Sequence, residues 1–405
     1  MIYVNSIQVM LMPVVLILLI HSYVRYVVVV DNFQVNPVDV KLSPLEGALT
    51  VNDELSRADI LWDKDGVQSV VKLNGHLYLG TSNGVVVKYD PAKERFTTVV
   101  RFNAKITSIR PSEDGNLYLL SVCTGIFKLD LTTKRLMLVY DHRAKEMALN
   151  PSNATHLNDF VVLPGETDKS LFSFLIAQSS RRWTSRQLYL SHIEGDKSGQ
   201  LIKYTPKTDQ LEIVREGLAF PKSLELSDDR ASVLVTEWLE RRVQRLYLSG
   251  PKKGSLELVV DELPGEPNHI RRSESKSETY WVPVNAARNA THYSNLDRIS
   301  GSVLQKEIVL YLIKGVDDLF AIFKRFIDAD YWSFRWQQYV FGWYLNDFKH
   351  GLVMQIDSTG KILNSLHSTT GRLTNIEEAV EVDLNKQRNL FLTSAFNQFI
   401  AKLSV

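Results

Sequence analysis

One lysine stands where a strand begins. In A-F-P-K-S-L-E-L-S, residues 219 to 227, Pro221 stiffens the approach to Lys222, and Leu224 and Leu226 alternate behind it. A lysine at such a boundary is ordinarily a solvated loop charge. Buried instead, its pKa would fall and the amine could attack carbonyl carbon. His156 and Asp159 flank Asn158, and His269 follows Asn268. Histidine beside a carboxylate suggests proton transfer, although two neighbours of a buried asparagine are more often plain strand and turn residues. None of these has metal-ligand spacing, and the chain shows no Cys/His cluster, no phosphate-cradling glycine loop and no G-x-S-x-G elbow.

The elements that must position these residues are read from a repeat. G-H-L-Y-L-G-T-S-N-G-V-V-V-K-Y-D (75 to 90) and G-N-L-Y-L-L-S-V-C-T-G-I-F-K-L-D (115 to 130) run in phase, 40 residues apart. Each reads as a turn, a short L-Y-L strand, a glycine turn and a second strand. Weaker echoes lie at 199–205, 243–250 and 351–360, and L-F-L-T-S-A-F-N-Q-F-I-A-K-L ends the chain. A unit of about 40 residues built of short strands predicts a β-propeller, and the available length suits six blades. Residues 66–405 are assigned to it, and 31–65 to a linker with a possible closing strand. A small ligand is expected at the tunnel mouth.

Leu312, Val316, Leu319, Phe320, Phe323 and Ile327 recur at helical steps, predicting a helix pair inserted in one blade over about 302–330. Its apolar face should pack on the propeller, the alternatives being a lid over the mouth or a face resting on a membrane. Residues 1–30 read as an uncleaved transmembrane signal anchor, with no charged side chain before Arg25. Sequons at Asn153 and Asn289 point to a lumenal or extracellular body, at the endoplasmic reticulum or plasma membrane, although Arg25 argues for the opposite orientation. Charge is balanced, 47 Lys+Arg against 46 Asp+Glu, which gives no reason to expect a nucleic-acid partner. The single cysteine, Cys123, cannot form an internal disulfide and reads as core. The W-x-x-R run at 183–186 fits the mouth or a surface loop equally.

The run from Glu237 to Arg272, containing S-G-P-K-K-G, resembles the strictosidine-synthase-like family, with support from L-N-D-F-V-V (157–162), I-E-G-D-K-S-G-Q-L-I-K-Y (193–204) and F-P-K-S-L-E-L-S (220–227). The resemblance extends from about residue 66 to the C-terminus. It implies a six-bladed propeller behind an N-terminal anchor, and kinship to paraoxonase-type esterases with calcium in the tunnel. Calcium requires oxygen ligands and carboxylates to offset its charge. Carried onto this chain, the family's ring is eroded: Gln68 replaces a glutamate, Pro267-Asn268-His269 replaces P-D-N, Lys222 replaces an asparagine, and Asn158 alone is as expected.

The cofactor expectation is therefore none, calcium having been lost, with the Lys222 ammonium meeting the Gln68, Asn158 and Asn268 oxygens in its place. The family's catalytic glutamate maps to Glu377 or Glu378, in a register that period-two alternation must decide. Either is a general base or, more simply, the ion-pair partner of Lys222. The resemblance implies a weak, calcium-independent arylesterase-type hydrolase of small esters or lactones, or a condensing enzyme related to strictosidine synthase. The alternative is a non-catalytic binding or adhesion propeller plugged by Lys222.

Overall fold

The computed structural model describes residues 22, 33–42, 44–102, 104–112, 114–149, 156–165, 172–185, 187–289, 292–323, 332, 335–336, 339–340, 342–343, 349–384 and 387–405. These residues form six four-stranded antiparallel sheets, the blades of a propeller. The innermost strands are Val67–Leu73, Ile106–Pro111, Leu157–Pro164, Pro221–Leu226, Arg271–Arg272 and Glu378–Leu384, in blades one to six. The sixth sheet takes its outermost strand, Asp59–Trp62, from ahead of blade one, paired with Phe399–Ser404. Strand pairing thus joins the two ends of the ring and leaves no open seam.

The L-Y-L repeat follows from this packing. Leu77 and Leu79 face the cluster shared with Phe391 and Ile400 of blade six, while Tyr78 joins Ile106 and Ile109 of blade two. One blade on, Leu117 and Leu119 look back towards blade one and Tyr118 forward to Phe160 and Phe174 of blade three. Alternation on a strand buried on both faces therefore reads as apolar throughout. The glycines of the second turns are equally constrained. Gly84 has φ 79°, and a Cβ there would lie 2.0 Å from the Phe102 carbonyl oxygen.

Among the described residues, helices α1 (His142–Leu149), α2 (Leu188–Glu194), α3 (Asn295–Ser300) and α4 (Val303–Phe323) interrupt the β pattern. The expected helix pair begins earlier than predicted, because Ser294 and Asp297 form a capping box that starts α3. Leu310 and Ile313 of α4 pack with Tyr189, Leu190 and Ile193 of α2 and with Trp183, Phe220 and Trp238. Trp183 is thus an apolar anchor of this helical layer, and Arg186 lies outside the described residues. So do Asn153 and, apart from Ser22, the anchor expected over 1–30; no helix among the described residues is long and apolar enough to cross a membrane.

The chain leading into the propeller is strapped to the same layer. Asn36 N–H donates to the Glu194 carbonyl at 2.9 Å and Val38 N–H to the Ser300 carbonyl at 2.9 Å, while Lys306 Nζ donates to the Asn36 carbonyl at 2.5 Å. Gly195, at φ 71° after α2, lets this strap approach, since a Cβ would meet the Asn36 oxygen at 2.8 Å.

Candidate functional site

Four innermost strands carry the same irregularity near their first residue. The register skips Gln68, Thr107, Asn158 and Lys222, each opposed by no residue of its own on the neighbouring strand. A bulge bends the strand and re-aims the extra side chain. In blades five and six the corresponding places are taken by Asn268 and Glu377, just ahead of the innermost strands. His269 N–H donates to the Glu377 carbonyl at 2.9 Å, joining these two blades at the mouth. Ahead of Lys222, Phe220 sits at φ 60°, an uncommon conformation for a bulky residue, secured by the Trp238 N–H donating to its carbonyl at 3.0 Å.

At the mouth Lys222 Nζ donates to Glu377 Oε1 at 2.5 Å, and each side chain is 14% exposed. Burial raises the Glu377 pKa, but the Lys222 charge, then His269, the Lys222 hydrogen bond and Lys105 outweigh it, so the carboxyl lies below its ordinary value. The polar amides turn elsewhere. Asn158 Nδ2 donates to Ser179 Oγ and, at 3.0 Å, to the Pro221 carbonyl; Asn268 Nδ2 donates to the Ile376 carbonyl at 2.9 Å. The expected nest of three amide oxygens around Lys222 is corrected: the ammonium donates to Glu377, because a carboxylate offsets its charge and an amide does not.

Glu378 lies on the other side of the alternation. Fully buried, it accepts from Arg271 Nε and, at 2.5 Å, from the Val70 N–H. Arg271 Nη1 also reaches Asp159 Oδ2 at 2.9 Å; Arg110 pairs with Asp159 at 3.1 Å and with Glu225 at 3.0 Å. Ser108 and Ser223 hydroxyls donate to Asp159 at 2.6 and 2.7 Å. One residue or more from each of the six innermost strands enters this ring. Burial raises the Asp159 pKa, but Arg110 and Arg271 outweigh it and hold the carboxyl well below the usual range; at Glu378 burial prevails over Arg271 and the pKa is raised. Asp159, which the sequence reading weighed lightly, is the hub, and Glu378 is committed to the ring rather than to the mouth.

The mouth holds a second lysine that the sequence reading missed. Lys105, half-buried ahead of blade two, has its pKa lowered by burial, then by the Lys222 charge, against which Glu377 and Cys123 act. Cys123 is correspondingly not core: it is half-buried, with Sγ 2.8 Å from Ser185 Oγ. His156, 3.0 Å from Ser185 Oγ, is held neutral well below its ordinary pKa by burial, then by Lys105 and Lys222. His192 stacks on Trp238 at 4.4 Å, its pKa pushed down to about 3 by burial and Lys222. His269 is also pushed down to about 3, by burial first and then Arg271. Both His269 ring nitrogens and both polar ends of Asn375 are buried without a protein hydrogen-bond partner, so this rim retains polar capacity for water or a ligand. Asn289 is half-buried, with its Oδ1 3.2 Å from His292 Nδ1.

Six blades closed by strand pairing, with a bulged polar ring at one tunnel mouth, place the chain among the six-bladed β-propellers. Two solved structures share the fold: regucalcin, a calcium-binding protein of Agrobacterium tumefaciens (TM-score 0.53, 11% identity, covering 85% of this chain and 92% of that one), and a gluconolactonase of Xanthomonas campestris (TM-score 0.52, 10% identity, 91% and 97%). Within that class the chain is similar to strictosidine-synthase-like proteins. The strictosidine synthase family model matches residues 168–251. Over 375 residues the chain is 26% identical to the adipocyte plasma membrane-associated protein of Rattus norvegicus, covering 89% of each, and over 386 residues 26% identical to that of Homo sapiens, covering 91% of this chain and 83% of the relative. Strictosidine synthase-like protein 13 of Arabidopsis thaliana is 36% identical over 116 residues, covering 29% of this chain and 28% of the relative.

Proposed function

We propose that the protein is a membrane-anchored, calcium-independent hydrolase of small esters, arylesterase-like in its substrate class. The observation that carries this is the Lys222–Glu377 pair, an ammonium and an ionised carboxylate 2.5 Å apart. The surroundings do not suit a divalent cation. Among the described residues the mouth offers one carboxylate, already engaged by an ammonium, with a second lysine beside it, whereas calcium takes six to eight oxygen ligands. The positive charge is supplied by the chain itself. Lys222 faces the carbonyl oxygen and stabilises the oxyanion as water adds. Glu377 accepts the water proton and returns it to the departing aryloxide, leaving the carboxylic acid and a phenol.

A second reading is favoured by the lowered Glu377 pKa, which makes the carboxylate a weak base at neutral pH. On it the mouth binds a ligand without turnover. Assay of the purified full chain in detergent on a panel of aryl esters, with calcium or with chelator, separates the two. Hydrolysis unaffected by chelation and reduced about a hundredfold or more in Glu377→Gln is the expected result. Activity abolished by chelation would overturn the calcium-free reading, and absence of turnover would leave ligand binding.

A further inference from the structure

α4 carries apolar residues on two faces, of which one is buried against the rest of the fold among the described residues. Leu310 and Ile313 are buried on the layer of α2 and α3, as is Lys306 on the same side. On the opposite side Leu304, Ile308, Leu312 and Leu319 are 67%, 50%, 66% and 52% exposed. At about 100° per residue these four positions, with Gly315 among them, fall within a stripe about 80° wide. Glu307, Lys314 and Asp318 run along one edge of the stripe, with Lys314 paired to Asp318. Beside it Tyr339, itself 65% exposed, stacks with Trp336, 5.6 Å between ring centres, and these rings line an apolar hollow with Leu312, Val309 and Trp343. A scattered exposed leucine is ordinary, but a helix-long stripe continued by aromatic rings marks a surface that meets something.

The chain itself indicates what it meets. Phe33 packs against Tyr311 of α4, ring centres 5.7 Å apart, and the strap beyond it is hydrogen-bonded to α2 and α4. Upstream the sequence is apolar and uncharged as far as Val24, and Arg25 to Asn32 alone separate that run from Phe33. Eight residues span at most about 28 Å. If the apolar run sits in a bilayer, as the reading above requires, α4 is held at the membrane surface by a short tether. We propose that the exposed face of α4 docks into the bilayer interface, with Leu304, Ile308, Leu312 and Leu319 in the acyl boundary and the charged edge at the headgroups. The helical layer also carries Phe220, Trp238 and His192 next to the mouth, so docking turns the mouth towards the lipid surface, where apolar esters partition.

The test uses the full chain in phosphatidylcholine–phosphatidylserine vesicles. In a Cys123→Ser background, a nitroxide is placed by Leu312→Cys, and at a water reference by Lys253→Cys in the far turn of blade four. Power saturation is expected to give the Leu312 label greater accessibility to oxygen than to a nickel chelate, with the reverse at Lys253. Water-like accessibility at Leu312 while the protein resists carbonate extraction would overturn the docked face and leave the anchor standing. Water-like accessibility with release by carbonate would overturn both. Dipolar broadening between Leu312 labels that dilution with unlabelled protein removes would place a second copy on this face and overturn the lipid assignment.

Discussion

Replacing Lys222 by methionine tests whether the pair at the mouth is an interaction or a coincidence of placement. Methionine keeps the length and apolar stem of lysine while removing the charge. Glu377 would then retain the burial that raises its pKa and lose the first of the influences that lower it. Exposed ion pairs contribute about 0 to 1 kcal/mol, and breaking a fully buried one costs about 3 to 5 kcal/mol. With both side chains 14% exposed, the coupling is expected between these, at about 2 kcal/mol. A cycle of Lys222→Met, Glu377→Gln and the double variant, measured by urea unfolding, isolates it. Because the folded pKa of Glu377 is lowered, its contribution is present above the ordinary carboxylate range and lost as pH falls through the folded value. The stability gap between wild type and Lys222→Met should therefore narrow in acid. A coupling within about 0.4 kcal/mol of zero, or a gap independent of pH, would refute the pairing.

In the buried ring, Arg271→Met should cost about 4 kcal/mol by stranding Asp159 and Glu378, and adding Glu378→Gln should recover part of it; thermal melts of the two variants check this. The Glu378 pKa is already raised, so loss of Arg271 should weigh less as pH falls towards the ordinary carboxylate range. Calcium in place of chelator should leave the melting temperature unchanged, whereas a ligand at a hundred times its dissociation constant adds about 2.7 kcal/mol. Lys306, buried with its pKa pushed down to about 8, is disfavoured when charged, so stability should rise as pH increases from about 8 towards 10.5; Lys306→Met should abolish that slope in pH-dependent melts.

The propeller was legible because its signal is local. The paired L-Y-L segments state in sixteen residues that a strand is buried on both faces, and the glycines after them occupy places where a Cβ would strike a neighbouring carbonyl. Lys222 was legible as the occupant of a ring position once the family pattern was laid on the chain. Lys105 was not, because it precedes its strand and belongs to no motif; its meaning comes from Lys222 and Glu377, 117 and 272 positions away. Asp159 was discounted for a similar reason, its partners Arg110 and Arg271 lying in blades two and five. The capping box at Ser294 and Asp297, by contrast, stood in the sequence and would have placed the start of α3.

Sequence determined the repeating blade and, from the available length, six of them, since these depend on spacing and side-chain type along short stretches; the lysine among the ring's polar residues was read through the family resemblance. Tertiary structure alone decided which of two adjacent glutamates meets that lysine. Glu377 precedes its strand and turns to the mouth, Glu378 begins the strand and is taken by Arg271, and the choice rests on where bulges and neighbouring blades place charges that the chain keeps far apart.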